Sequence, residues 1–119
     1  MQSFRNLQVW GKAHRLTLDV YRSSEPFPRH EIYGLTSQMR RASVSIGANI
    51  AEGSCRKGDR EFGRFLCIAM GSASELEYHL LLALDLEILK AADYERLSGE
   101  VVEVKRMLAA LIQKLRADS

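Results

Sequence analysis

The chain has 119 residues, of which 46% are apolar and 27% charged, with a net charge of +2; this is the make-up of one soluble globular domain over residues 1–119, not of a disordered or fibrous chain. No window approaches about 18 uninterrupted apolar residues, and the start, Met1 to Leu7, lacks a secretory apolar stretch, so neither a membrane span nor export is expected and the location is cytoplasmic. Cys55 and Cys67 are the only cysteines, too few for a disulfide framework in a reducing compartment.

Leu7, Trp10, Ala13, Leu16 or Thr17, and Val20 fall at helical spacing and predict a first helix. Pro26 and Pro28, the only prolines, then break the chain within Ser23 to His30. A second helix is expected from about Glu31 to Ser54, with Gly34 blurring its start. Its apolar positions Leu35, Met39, Ala42 and Ile46 lie on one face, Asn49 and Gly53 continue the seam, and the rest is tiny side chains. A helix so poor in bulk lets neighbouring backbones approach closely, which places it at the centre of a helical assembly.

Cys55 to Gly58 reads as a short polar connection. Asp59 suits the N-cap of a third helix, with Glu61 in the positive first turn. That helix carries Phe62, Leu66, Ala69, Ala73, Leu76, Leu80 and Ala83 in unbroken alternation of four and three, and extends from Arg60 to about Leu89, some 45 Å at about 1.5 Å per residue. Phe65, Ile68, Leu81, Leu82 and Leu84 lie off that stripe. A second apolar face needs a second surface to cover it, which points to self-association. The fourth helix shows Tyr94, Leu97, Val101, Val104, Leu108, Leu111 and Leu115, with Glu95, Arg96, Glu100, Glu103, Lys105 and Arg106 on a face expected to meet water. Four helices with short connections give an all-α, antiparallel up-down-up-down four-helix bundle.

Enzyme chemistry finds little footing. His14, His30 and His79 stand far apart and none pairs with another His or Cys at ligand spacing, so no metal is expected. The glycines form no phosphate loop, and no cofactor is expected. Cys55 beside Arg56 and Lys57 has cations that favour a thiolate, but no histidine partner in sequence; Cys67 reads as packed beside Leu66 and Ile68. Asn49 and Glu52 share a helical face. With Glu75 or Ser72 of the third helix they read as a polar clasp fixing helix register; the alternative, an acid–amide site, has no matching base.

The strongest functional lead is basic. Residues 1–65 hold 11 Lys/Arg against 6 Asp/Glu, and residues 66–119 hold 6 against 9. Within the first half, Arg56, Lys57, Arg60 and Arg64 cluster, with Arg60 and Arg64 at i, i+4. Arg40 and Arg41 precede them, pointing about 100° apart; one of the two bonds to a carboxylate such as Glu52 or Glu75 while the other faces outward. Clustered cations suit phosphate-backbone contacts, which need no base-specific geometry. The other reading is a solvated loop with intersubunit salt bridges. Phe62 and Phe65 are better used in packing than in stacking on bases.

Arg40-Arg41-Ala42, Ser45-Ile46, Ala48 to Gly53 and Arg56 resemble the signature of the four-helix-bundle proteins encoded by 23S rRNA intervening sequences. The likeness extends upstream through Phe4, Leu7, Trp10, Lys12-Ala13, Phe27-Pro28, Glu31, Tyr33 to Thr36 and Gln38. Downstream it takes in Glu61-Phe62, Phe65-Leu66, Ile68-Ala69, Gly71-Ser72 and Glu75 to Glu77, so it spans roughly residues 4–80. Gly47 departs from it, standing where that family usually has proline; both residues interrupt a helix, one by looseness and the other by kinking. The resemblance implies a ring-like homopentamer with a central channel. It also implies a place beside accessory subunits of diversity-generating retroelements, which associate with a reverse transcriptase and nucleic acid. The combined expectation is a non-catalytic homo-oligomer that binds RNA, DNA or a nucleic-acid-handling protein through its basic clusters, or else a structural or protein-interaction adaptor.

Overall fold

All four stretches of helical spacing become helices in the computed structural model, which describes residues 3–118. They are α1 (Gln8–Ser24), α2 (Leu35–Ser54), α3 (Asp59–Asp85) and α4 (Ala91–Asp118), with 3-10 turns at Phe4–Asn6 and Arg29–Glu31 and no strand among the described residues. Each helix packs on its sequence neighbour and α4 returns to α1, giving an antiparallel bundle 46 × 22 × 19 Å in extent. Its axis is filled by Leu16, Met39, Ile46, Ile50, Leu66, Leu76, Leu80, Leu97 and Leu108, all fully buried.

The helix boundaries have local causes. The α2 helix starts at Leu35 rather than Glu31, because the Arg29–Glu31 turn ends first and the Glu31 carboxylate accepts the Leu35 N–H at 3.1 Å. That satisfies one of the donors a helix start leaves open. Gly47 does not interrupt α2, which runs continuously from Leu35 to Ser54. Gly58 adopts φ +86°, the left-handed region glycine enters freely, and caps α3. Asp59 is therefore the first helical residue, and both it and Glu61 lie in the first turn.

Helix α3 ends at Asp85, a turn earlier than its apolar run suggests. Glu87 sits at φ 63°, the Ile88 N–H reaches the Ala83 carbonyl at 3.0 Å, and the Glu87 N–H reaches the Leu84 carbonyl at 2.9 Å. This is a Schellman closure built on glutamate instead of glycine.

Burial follows the predicted seams with two shifts. At the start of α1, Val9 is buried, while Trp10 and the preceding Leu7 are only partly so. In α4, Ile112 is buried while Leu111 and Leu115 are half-covered. Of the off-stripe residues of α3, Phe65 is buried inside the bundle and Leu82 is partly covered, while Ile68 and Leu81 remain exposed together with Tyr78.

Candidate nucleic-acid interface

The turn from α2 to α3 is made tight by Gly53. A methyl group there would come within 2.6 Å of Phe65 Cβ and 3.0 Å of the Phe62 ring, so the two helices touch where a side chain would hold them apart. The connection Cys55 to Gly58 then gathers Arg56, Lys57, Arg60 and Arg64 at one end of the bundle, all four exposed. Two of these cations are already engaged. Arg56 donates to Glu52 at 2.6 Å and Arg64 to Glu61 at 2.8 and 3.2 Å. Their guanidinium groups lie 5.1 and 4.8 Å from the Phe65 ring centroid, a cation–π arrangement that holds both against the helix. The Arg64 bond keeps the Glu61 carboxyl below its ordinary pKa. Lys57 and Arg60 enter no ion pair among the described residues and project into solvent.

Arg60 and Arg64 also line a groove of about 480 Å³ between the start of α3 and the end of α4, with Arg116 on the opposite wall and Ile112 and Leu115 beside it. Antiparallel packing brings Arg116 there. A basic residue in the last turn of α4 was the available signal for it. Cys67 lines the same groove and is exposed, not packed; Cys55 is exposed as well.

Arg40 and Arg41 divide as adjacent helical residues must. Arg40 turns inward, but toward α1 rather than toward Glu52 or Glu75. Its Nε donates to Ser24 Oγ at 2.9 Å, its Nη2 to the Tyr21 carbonyl at 3.3 Å, and Glu25 stands 3.6 Å away. The guanidinium also covers the Tyr21 ring at 4.7 Å. It thus ties off the carbonyl end of α1. Arg41 is exposed on the outer face of α2. Neither arginine joins the cluster at the α2–α3 turn.

The polar seam keeps Asn49 and Ser72, with Ser45 between them in place of Glu52 and Glu75. Asn49 donates to the Ser45 carbonyl at 2.8 Å and to Ser45 Oγ at 3.0 Å, and Ser45 Oγ meets Ser72 Oγ across the α2–α3 seam at 2.9 Å. Glu52 is committed to Arg56, and Glu75 is exposed with His79 Nε2 at 3.5 Å. Serine-to-serine bonding fits because small side chains let the helices come this close.

A polar group with no precursor in the sequence reading joins α1 to α4. Arg96 bonds Asp19 at 2.9 and 3.0 Å, Asp93 at 2.8 Å and Ser23 at 2.9 Å. Glu100 belongs to this group rather than to a water-facing stripe: its Oε2 is buried without a partner among the described residues. Burial, reinforced by the Asp19 carboxylate, pushes its pKa up to about 7. The Arg96 hydrogen bond conversely holds Asp19 below its ordinary range. Cross-helix pairings of this kind leave no periodic trace in one sequence.

Against known proteins, a family model described as 23S rRNA-intervening sequence protein matches residues 5–110. The fold is similar to the crystal structure of a protein of unknown function from the S23 ribosomal protein family of Bacteroides thetaiotaomicron, with a TM-score of 0.79 and 26% identity over 87% of this chain and 97% of that one. No curated protein matches.

Proposed function

The chain belongs to the 23S rRNA-intervening sequence protein family, and from that premise we propose that it is a non-catalytic, cytoplasmic, homo-oligomeric bundle that binds the phosphate backbone of nucleic acid. The observation that carries this reading is the convergence of Arg56, Lys57, Arg60, Arg64 and Arg116 at one end of the bundle. Lys57 and Arg60, which enter no ion pair among the described residues, make the primary contacts. Backbone contacts without base readout follow from the absence of an exposed aromatic platform among them. Self-association rests on the exposed apolar positions Val44, Ile68, Tyr78 and Leu81 on the outer faces of α2 and α3, and the pentamer on family resemblance. Ring symmetry would repeat the basic end around the particle.

Fluorescence anisotropy with labelled single-stranded RNA and DNA across a salt series tests this. Each phosphate neutralised on a single strand steepens log K against log salt by about 0.7, so the double substitution Lys57→Gln, Arg60→Gln flattens the slope by roughly 1.4 per engaged protomer. Undetectable binding at low salt, or binding that ignores the double substitution, overturns the reading.

The Arg56–Glu52 and Arg64–Glu61 pairs favour a second reading, a protein-interaction adaptor whose cations are internally satisfied. In that case Lys57→Gln, Arg60→Gln leaves every interaction of the protein intact.

A further inference from the structure

The end of the bundle opposite the basic turn holds a pocket of about 570 Å³ at the α1–α2 connection, lined by Ser24, Glu25, Phe27, Arg29, Ile32, Thr36 and Arg40 among others. From its geometry we infer that this pocket docks a protein partner through a carboxylate side chain flanked by an apolar residue, the carboxylate on Arg29 and Arg40 and the apolar neighbour on Phe27 and Ile32.

Arg40 is held in advance of any ligand. Ser24, the Tyr21 carbonyl and the Tyr21 ring fix its guanidinium, which keeps 23% side-chain exposure toward the pocket side of the chain. A rigid planar fork is the group that recognises a carboxylate with least ordering cost. Thr36, 5% exposed, contributes a buried hydroxyl with no hydrogen-bond partner among the described residues, and such a group ordinarily has one. Arg29 is exposed at the rim.

The chain supplies its own stand-in. Glu25 places a carboxylate oxygen 3.6 Å from Arg40 Nη2, beyond hydrogen-bond range, while remaining 83% exposed. It marks carboxylate as the chemistry the arginine attracts, and being loosely held it can swing aside.

A peptide fits better than a nucleic acid. Arg29 and Arg40 are balanced by Glu25 and Glu31, and around the neighbouring α3–α4 connection Lys90 is outnumbered by Glu87 and Asp93, so no field here draws a polyanion. Phe27, Pro28 and Ile32 give the pocket an apolar side next to its arginines, and the same end exposes Ile32 at 51%, Tyr33 at 96% and Leu86 at 53%. Large exposed apolar groups around one charged anchor are the pattern of a protein-docking surface.

The test uses the full chain and a display library of random ten-residue peptides, followed by anisotropy on the enriched peptide and on its glutamine-for-acid version. The expected result is enrichment of aspartate or glutamate beside leucine, isoleucine or phenylalanine. Binding should fall at least tenfold for the glutamine peptide and at least fivefold for Arg29→Gln or Thr36→Val, and strengthen two- to threefold for Glu25→Gln. Circular dichroism and light scattering confirm that each variant keeps its fold and assembly. No enrichment, enrichment of basic peptides, or equal binding of the glutamine peptide overturns the proposal. So does a fall in subunit number with Arg29→Gln, which would assign the pocket to a second copy of this chain, or labelled RNA binding that Arg29→Gln abolishes.

Discussion

Gly47 and Gly53 lie six positions apart on α2, yet replacing each by alanine is expected to move stability in opposite directions. Alanine is favoured over glycine inside a helix by about 1 kcal/mol. At Gly47 the added methyl meets its nearest neighbour, Trp10 Nε1, at 3.5 Å, an ordinary contact. Gly47→Ala therefore gains close to the full helix term, about 1 kcal/mol. At Gly53 the same methyl falls 2.6 Å from Phe65 Cβ, about 1 Å inside normal carbon–carbon separation. Phe65 Cβ is fixed to the α3 backbone and cannot rotate away, so α2 and α3 must part. Overpacking of that kind costs about 1–3 kcal/mol. Because a backbone-anchored atom is involved, the upper end applies, leaving Gly53→Ala roughly 2 kcal/mol less stable than the parent after the helix gain. Urea denaturation followed by circular dichroism, at one protein concentration for both variants, should separate them by about 3 kcal/mol with unchanged m. A Gly53→Ala protein as stable as the parent would refute the close approach from which the basic turn was built.

Other substitutions probe the remaining special positions. Glu87→Gly, at φ 63° in the Schellman closure, should raise stability by about 1 kcal/mol by relieving the left-handed backbone, read as a higher calorimetric midpoint. The raised Glu100 pKa means the folded chain holds that proton more tightly than the unfolded one. Stability should thus decline as pH rises from the ordinary 4.5 to about 7 and stay level above it. Glu100→Gln should remove that decline, on the order of 1 kcal/mol after solvent screening, in denaturation at paired pH values. For His79 the sign reverses: burial lowers its pKa against the pull of Glu75, so stability present above 6.5 is lost as pH falls below that value. His79→Leu should abolish the acid-side loss and gain about 1 kcal/mol by removing a buried Nδ1 that has no partner among the described residues.

The helices were legible because burial and helical spacing are one constraint seen twice. Of the α3 seam Phe62, Leu66, Ala69, Ala73, Leu76, Leu80 and Ala83, all but the partly covered Phe62 are fully buried. Strict alternation of three and four gave way at helix ends: Phe62 and Tyr94, the first positions of the α3 and α4 series, are only partly buried. The alternation averages 3.5 residues per turn against the straight helix's 3.6, a lag of about 20° per heptad, and by the third heptad of α4 it is Ile112 that points inward and Leu111 that slips aside. The end of α3 was illegible because a glutamate occupies the backbone conformation that glycine normally advertises. Within the candidate site, the turn cluster was readable as local sequence. The partition of Arg40 from Arg41 was readable only as a pair of options, since the deciding partners, Ser24 and Tyr21, belong to another helix. The Asp19–Arg96–Glu100 group was unreadable for the same reason.

One seam differs in kind from the others. The α1–α2, α2–α3 and α3–α4 contacts each join elements that follow one another along the chain, whereas Arg96 reaches Asp19 across 77 positions. Closing that gap costs more chain entropy than zipping a hairpin, so α1 and α4 are expected to dock last as the chain folds and to separate first when it opens. Backbone amides buried between α2 and α3 should accordingly exchange with deuterated water only through global opening, while those facing the α1–α4 seam exchange through a smaller, earlier event.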